Sequence, residues 1–357
     1  MKVGSTLQSL AQELRRQLSS KRDLIVPNHL MGHETSEQGE TRVLIETADE
    51  IESYPSTELF RRQLAEKLKI PFAYFDRMRA EQPKLLDRNV NTWLQSDPNR
   101  RAVRTLIRTL DGQARAFLSD RYRRLDHYDL AEHVLPMLQA LPGAKFESSQ
   151  LTPTRLYLKV VTEQVEAEIV PGDVVKAGVV ISNSEVGQGS LSVQPLVYRL
   201  VCRNGLIMPD FAMRKMHIGR QQESSWEEVA VFKDDTLQAD DMAFFLKVRD
   251  VVQTCVSEAT LQLIAAKMRN TLGIHLTGNL VKTVEVLATR YMLNEPERDG
   301  VLRHLIEGGD LSGYGLINAV TGFSQEVENY DRATELEVMG GRLVDQTQAQ
   351  WSELATA

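Results

Sequence analysis

Apolar residues recur at Leu7, Leu10, Leu14 and Leu18, a spacing that lines one face of a helix, and they open a region, 1–98, that reads as mostly helical. Within it "NHLMGHETSEQGE" is polar enough to be a loop, and "VLIETADEIES" reads as a strand or a linker. "STELFRRQLAEKLKIPFAYFDRMRAEQPKLLDRNVNTWLQ" returns to the helical period, with Ser56 placed as an N-cap. The period then changes near Pro98. "AVRTLIRTLDGQARAFLSDRY" alternates on either side of Asp111-Gly112, which predicts a tight β-hairpin. Arg104, Leu106, Arg108 and Leu110 would share one face, and Val103, Thr105, Ile107 and Thr109 the other.

A helix is expected from Asp126 or Asp129 to about Leu141, kinked or split at Pro136. Three strand candidates follow: "TRLYLKVVT", "VVKAGVVISNS" and "LSVQPLVYRLVCRNGL". "PGD" is a turn between the first two, and "EVGQGS" a loop before the third. At the end of the third, Asn204-Gly205 is read as a tight turn, Cys202 as a small buried apolar residue, and Arg199 as a sheet-face contact or half of a buried ion pair. From Ser225 the helical period returns. One long helix is expected through to a stop at Gly273, another over "NLVKTVEVLATRYML", a flexible "EGGDLSGYG", and more helix to the end. The pattern predicts an α+β protein in three regions: a helical 1–98, a central antiparallel β-rich 99–224 with packed helices, and a helical 225–357 with an acidic segment.

Composition sets the class. The chain has 357 residues, 42% hydrophobic and 25% charged, which is ordinary for a globular protein with a sizeable core. The two cysteines, Cys202 and Cys255, make no disulfide framework and no four-cysteine zinc site, and they fit a reducing, cytoplasmic setting. The N-terminus lacks the apolar core of a signal peptide, and no apolar run reaches membrane-spanning length, so no membrane association is expected.

The net charge of −7 excludes a chain that coats nucleic acid with its whole surface. Residues 100–124 run against that balance. They hold eight arginines (Arg100, Arg101, Arg104, Arg108, Arg115, Arg121, Arg123, Arg124) against Asp111 and Asp120, a local charge of +6. Guanidinium groups bind phosphate bidentately, and the interleaved Phe117 and Tyr122 could stack on bases. Arg155, Tyr157 and Lys159 repeat the basic-aromatic pattern on a second strand, and Arg203 is expected to lead the turn after the third, exposed. If the second strand lay near the hairpin, the two faces would form one groove. The bland alternative is a solvated sheet face with ion pairs.

Other motifs carry less. Gln63–Met78 has a helix–turn–helix rhythm, but Lys69 stands where a turn glycine is favoured, and Phe72, Tyr74 and Asp76 suit an anionic groove poorly. His29, His33 and Glu34 lie close in sequence but not in the order that places two ligands on one helical face. No phosphate-cradling glycine motif and no nucleophile elbow occurs.

Several stretches resemble one known family. "LAEKLKIPFAYFDRM" with "NVNTWL", "FLSDRYRRLDHYDL", "VYRLVCRNGLIM" and "GLINAVTGFSQEVENYDRATELE" are similar to signatures of the domain-of-unknown-function family numbered nine-three-two, from about residue 57 to 343. The resemblance implies a protein of phages and plasmids, elements whose proteins commonly handle their own DNA. It supplies no catalytic residues. The hairpin–helix–sheet order is also loosely similar to the core of single-strand annealing proteins, a likeness at the level of fold.

The expectation is therefore a non-enzymatic single-stranded DNA-binding protein, with strand annealing as its activity and no cofactor or metal. The contact residues would be Arg104, Arg108, Arg115, Phe117, Arg121, Tyr122, Arg123, Arg124, Arg155, Tyr157, Lys159, Arg199 and Arg203. A regulatory protein binding a host or phage protein through the same arginines is the alternative, and a metal-dependent nuclease a remote one. A homo-oligomer is compatible with each.

Overall fold

The structure is a computed structural model that describes residues 1–95, 103–122, 124–209 and 234–357, with 234–241 described by backbone alone. It is α+β, with antiparallel sheets and a helical C-terminal region, as the patterning predicts. The chain divides into two compact units. The smaller holds 11–128 and 185–188; the larger holds 1–10, 129–184 and 189–357. The expected boundaries at 98 and 224 do not coincide with this division. It is discontinuous in sequence, and the predicted hairpin belongs with the N-terminal helices.

The smaller unit contains most of helix α1 (Leu7–Ser20), strands β1 (Arg22–Pro27), β2 (Met31–Thr35), β3 (Thr41–Glu46) and β4 (Ile51–Pro55), helices α2 (Glu58–Lys67), α3 (Phe72–Glu81) and α4 (Pro83–Gln95), and strands β5 (Arg104–Leu110) and β6 (Gln113–Ser119). So the region read as mostly helical carries four strands. "VLIETADEIES", read as a strand or a linker, supplies most of β3 and the start of β4, whereas "NHLMGHETSEQGE", read as a loop, carries β2, which pairing with β3 makes a strand. β2, β3 and β4 form one sheet, and β1, β5 and β6 another. The hairpin forms as predicted: Asp111 and Gly112 take φ of 53° and 73° and return β5 into β6. α2 is capped by Thr57, one residue later than expected. Lys69 adopts φ 57°, doing the work of a turn glycine between α2 and α3. One core closes the unit. Phe60, Phe75, Leu86, Val90 and Ile107 are all buried to 0% exposure in it.

The larger unit is built on an antiparallel meander: β7 (Ala144–Leu151), β8 (Leu156–Glu168), β9 (Val174–Asn183), β10 (Ser192–Arg199) and β11 (Asn204–Ile207). Helix α5 (His127–Gln139) precedes it and keeps Pro136 inside a single helix. The C-terminal helices are α6 (Asp234–Cys255), α7 (Glu258–Leu272), α8 (Leu280–Tyr291), α9 (Glu295–Gly308), α10 (Gly313–Phe323), α11 (Tyr330–Val344) and α12 (Gln348–Thr356). β10 buries both of its faces, with Val197 in the core shared with these helices and Leu196 and Tyr198 in a second cluster.

Three local features depart from the sequence pattern. The long helix breaks after Cys255, because Ser257 caps a new helix by accepting from the Thr260 N–H. "EGGDLSGYG" is ordered: Gly309 ends α9 at φ 67°, and Gly313 and Gly315 are buried in α10. Asn204-Gly205 is not the turn. Both residues pair in β11 opposite Arg199 and Tyr198, and Arg203, at φ 50°, makes the turn before them. Gly205 packs closely instead, since a Cβ there would lie 3.1 Å from Leu196 Cδ1 and push that side chain aside.

Candidate nucleic-acid interface

The hairpin sets the geometry. β5 pairs with β1 so that Arg108 stands opposite Asp23, and with β6 so that Arg108 stands opposite Ala116. Alternation then puts Arg104 and Arg108 on one face of this sheet and Thr105, Ile107 and Thr109 on the core face.

Arg108 is the most buried arginine of the set, at 1% exposure. Its Nε donates to Asp23 Oδ1 at 2.9 Å, Nη2 to Asp126 Oδ1 at 2.5 Å, and Nη1 to the Glu185 carbonyl at 3.0 Å. Burial works against its charge, but Asp126 and Asp23 outweigh it and hold the guanidinium above its ordinary pKa.

Glu185 is the second centre. Its Oε1 accepts from Lys21 Nζ at 2.5 Å and from the His127 backbone N–H, at the start of α5, at 2.6 Å. Its Oε2 accepts from Arg115 Nη2 at 2.5 Å. Burial pushes the Glu185 carboxyl up, while His127, Arg115 and Lys21 pull it further down, and the net result is well below the usual range. The His127 imidazole is lowered to about 4, chiefly by burial.

The exposed arginines stand around this network. The Arg104 side chain is 58% exposed and lies 3.5 Å from Asp120; that of Arg124 is 50% exposed and lies 3.3 Å from Asp23. Arg121 is exposed, and Tyr122 is half-buried with its phenol pushed up by burial. Arg123, Arg100 and Arg101 lie outside the described residues.

The expected set is spread over two sheets in two units, and several of its members are buried. Arg108 and Arg115 are committed to internal carboxylates. Phe117 is a core residue, edge-on to Phe60 at 5.6 Å between ring centroids, and offers no stacking surface. β8 belongs to a different sheet, in the other unit. There Lys159 is fully buried, 2.6 Å from Glu337 and over the Tyr330 ring, and Tyr157 is buried beside Tyr330. Arg155 is half-buried, with its guanidinium against Gly189. Arg199 is half of an ion pair with Asp173 at 2.7 Å, and Tyr314 donates to the same carboxylate. Cys202 is exposed rather than buried, and accepts from Arg199 at 3.2 Å. Arg203 is exposed at its turn.

Lys21, Asp23, Asp126, His127 and Glu185 were missed. No local motif marks them, because the β1–β5 register and the return of 185–188 to the smaller unit bring them together. His33 faces inward to Asp87 at 2.8 Å, and among the described residues no three metal-ligating side chains come together.

Fold and network define an α+β protein with a charge-dense network at the edge of one sheet. The chain belongs to the family Domain of unknown function (DUF932), whose model matches residues 114–349. No curated protein and no solved structure matches it. No helix among the described residues is long and apolar enough to cross a membrane.

Proposed function

We propose that the chain is a non-enzymatic single-stranded nucleic-acid-binding protein, with strand annealing as the activity to look for. Its contact surface is the exposed rim of the β1–β5–β6 sheet, with Arg104 at the start of β5 and Arg121, Tyr122 and Arg124 in the segment after β6. The observation that carries this reading is the exposure of Arg104, at the start of β5, and of Arg124, after β6, each in a surface ion pair at 3.3–3.5 Å among the described residues. Such pairs contribute about 0–1 kcal/mol, so a phosphate can take the place of the carboxylate at little cost. Charge distribution supports it. The smaller unit carries 21 Lys and Arg against 19 Asp and Glu, or +2, while the larger carries 21 against 30, or −9.

One observation favours a protein partner instead. Arg104 and Arg124 are interspersed with Asp120 and Asp23, a mixed-sign pattern that suits a protein interface as well as a phosphate track. Fluorescence anisotropy with single- and double-stranded oligonucleotides separates the two. Preference for the single strand is expected. No binding at low salt, with a stoichiometric protein recovered in pull-downs, would replace this reading with the second.

A further inference from the structure

The Glu185 cradle has more positive charge and more donors than Glu185 uses. Arg108 is neutralised by Asp23 and Asp126, and Arg124 shares Asp23. Lys21 and Arg115 both converge on Glu185, at 2.5 Å each. Two half-buried cations thus face one carboxylate, an excess of one positive charge within the cradle itself, with Asp111 the further carboxylate that Arg115 acts on. The cradle also has a spare donor, since Arg115 Nε is buried without a hydrogen-bond partner. The His127 N–H adds the positive end of a helix. A planar carboxylate has two oxygens for these donors. A tetrahedral oxyanion has more, and a dianion would cancel the excess charge.

Glu185 reaches the cradle from the loop between β9 and β10. That loop carries Gly187 at φ 75° and Gly189 at φ 139°, conformations that side-chain-bearing residues rarely adopt. The loop holds the Glu185 carboxylate against all three donors.

We propose that the cradle of Lys21, Arg115 and the His127 N–H is a phosphate site that Glu185 fills in the free protein, and that its ligand is the terminal phosphomonoester of a bound strand. This rests on the nucleic-acid reading for the owner of the phosphate. The dianionic charge selects a strand end over the backbone, because a phosphomonoester carries about −1.5 to −2 at pH 7 and a phosphodiester only about −1. Withdrawal of the Glu185 loop opens the site, so Glu185 competes with the ligand.

The test uses the full chain with Glu185→Ala and, to guard against misfolding, the near-isosteric Glu185→Gln. Thermal midpoints are measured in inorganic phosphate and in chloride at equal ionic strength. Both variants should gain several degrees in about 50 mM phosphate over chloride, and wild type less. Adding Lys21→Met should abolish the gain. In anisotropy, the variants should bind a terminally phosphorylated oligonucleotide at least about fivefold tighter than its hydroxyl-ended twin. No phosphate response in either variant overturns the site itself. A phosphate response with equal binding of the two oligonucleotides overturns the strand end as ligand. A phosphate response with no oligonucleotide binding by any protein overturns the nucleic-acid reading and assigns the cradle to free phosphate.

Discussion

Arg108 and Arg104 stand four residues apart on one strand, on one sheet face, and do different work. Arg108 is itself buried and holds two half-buried carboxylates, so Arg108→Met leaves Asp126 and part of Asp23 uncompensated and should cost about 2–4 kcal/mol in urea unfolding. Arg104→Ala removes a 3.5 Å surface pair and should change stability by less than about 0.5 kcal/mol, while weakening oligonucleotide binding. Equal stability losses at the two positions would contradict the burial argument. His127 gives the network a pH signature. Its folded pKa, about 4, lies below the ordinary value of 6.5, so its contribution is complete above pH 6.5 and is lost as pH falls toward 4. The loss is about 3 kcal/mol by the linkage of pKa to stability. His127→Gln should flatten the wild-type decline across that window, and an unchanged slope would count against the assignment. These roles were not legible in the sequence. Alternation places Arg104 and Arg108 on one face, but only register and loop return decide which guanidinium meets a carboxylate.

Elements whose signals are local were read correctly. Asp111-Gly112 closes its hairpin, and "TRLYLKVVT" and "VVKAGVVISNS" become β8 and β9. Elements that depend on distant partners were not. Asn204-Gly205 looks like a turn, yet the pairing with β10 draws both residues into β11, and the strain moves to Arg203. The same dependence gives a pair of opposed predictions for glycines in helices. Gly341 of α11 packs against β11, where a Cβ would sit 1.9 Å from the Ile207 carbonyl oxygen. The helical preference for Ala, about 1 kcal/mol, cannot offset such a backbone clash, so Gly341→Ala should destabilise by about 1–3 kcal/mol or more. Gly308, at the end of α9, has nothing within 4 Å of the added atom, so Gly308→Ala should be neutral or stabilising in thermal unfolding. If Gly341→Ala proved harmless, the α11–β11 packing would be wrong.

Across the whole molecule, the net charge of −7 hides a division of +2 and −9 between two units. The basic stretch was visible in the sequence because its residues are contiguous. The division was not, because 185–188 returns to the smaller unit from the middle of the meander. The central claim is that Arg104, Arg121 and Arg124 contact phosphates of a single strand. The most direct measurement is the salt dependence of single-strand binding by wild type and by the Arg104→Ala, Arg121→Ala, Arg124→Ala triple variant. Each lost phosphate contact reduces the log–log slope by about 0.7, so the triple variant should lose about 2 from the slope and bind more weakly throughout. A triple variant with wild-type affinity and slope would show that this rim of the sheet does not touch nucleic acid.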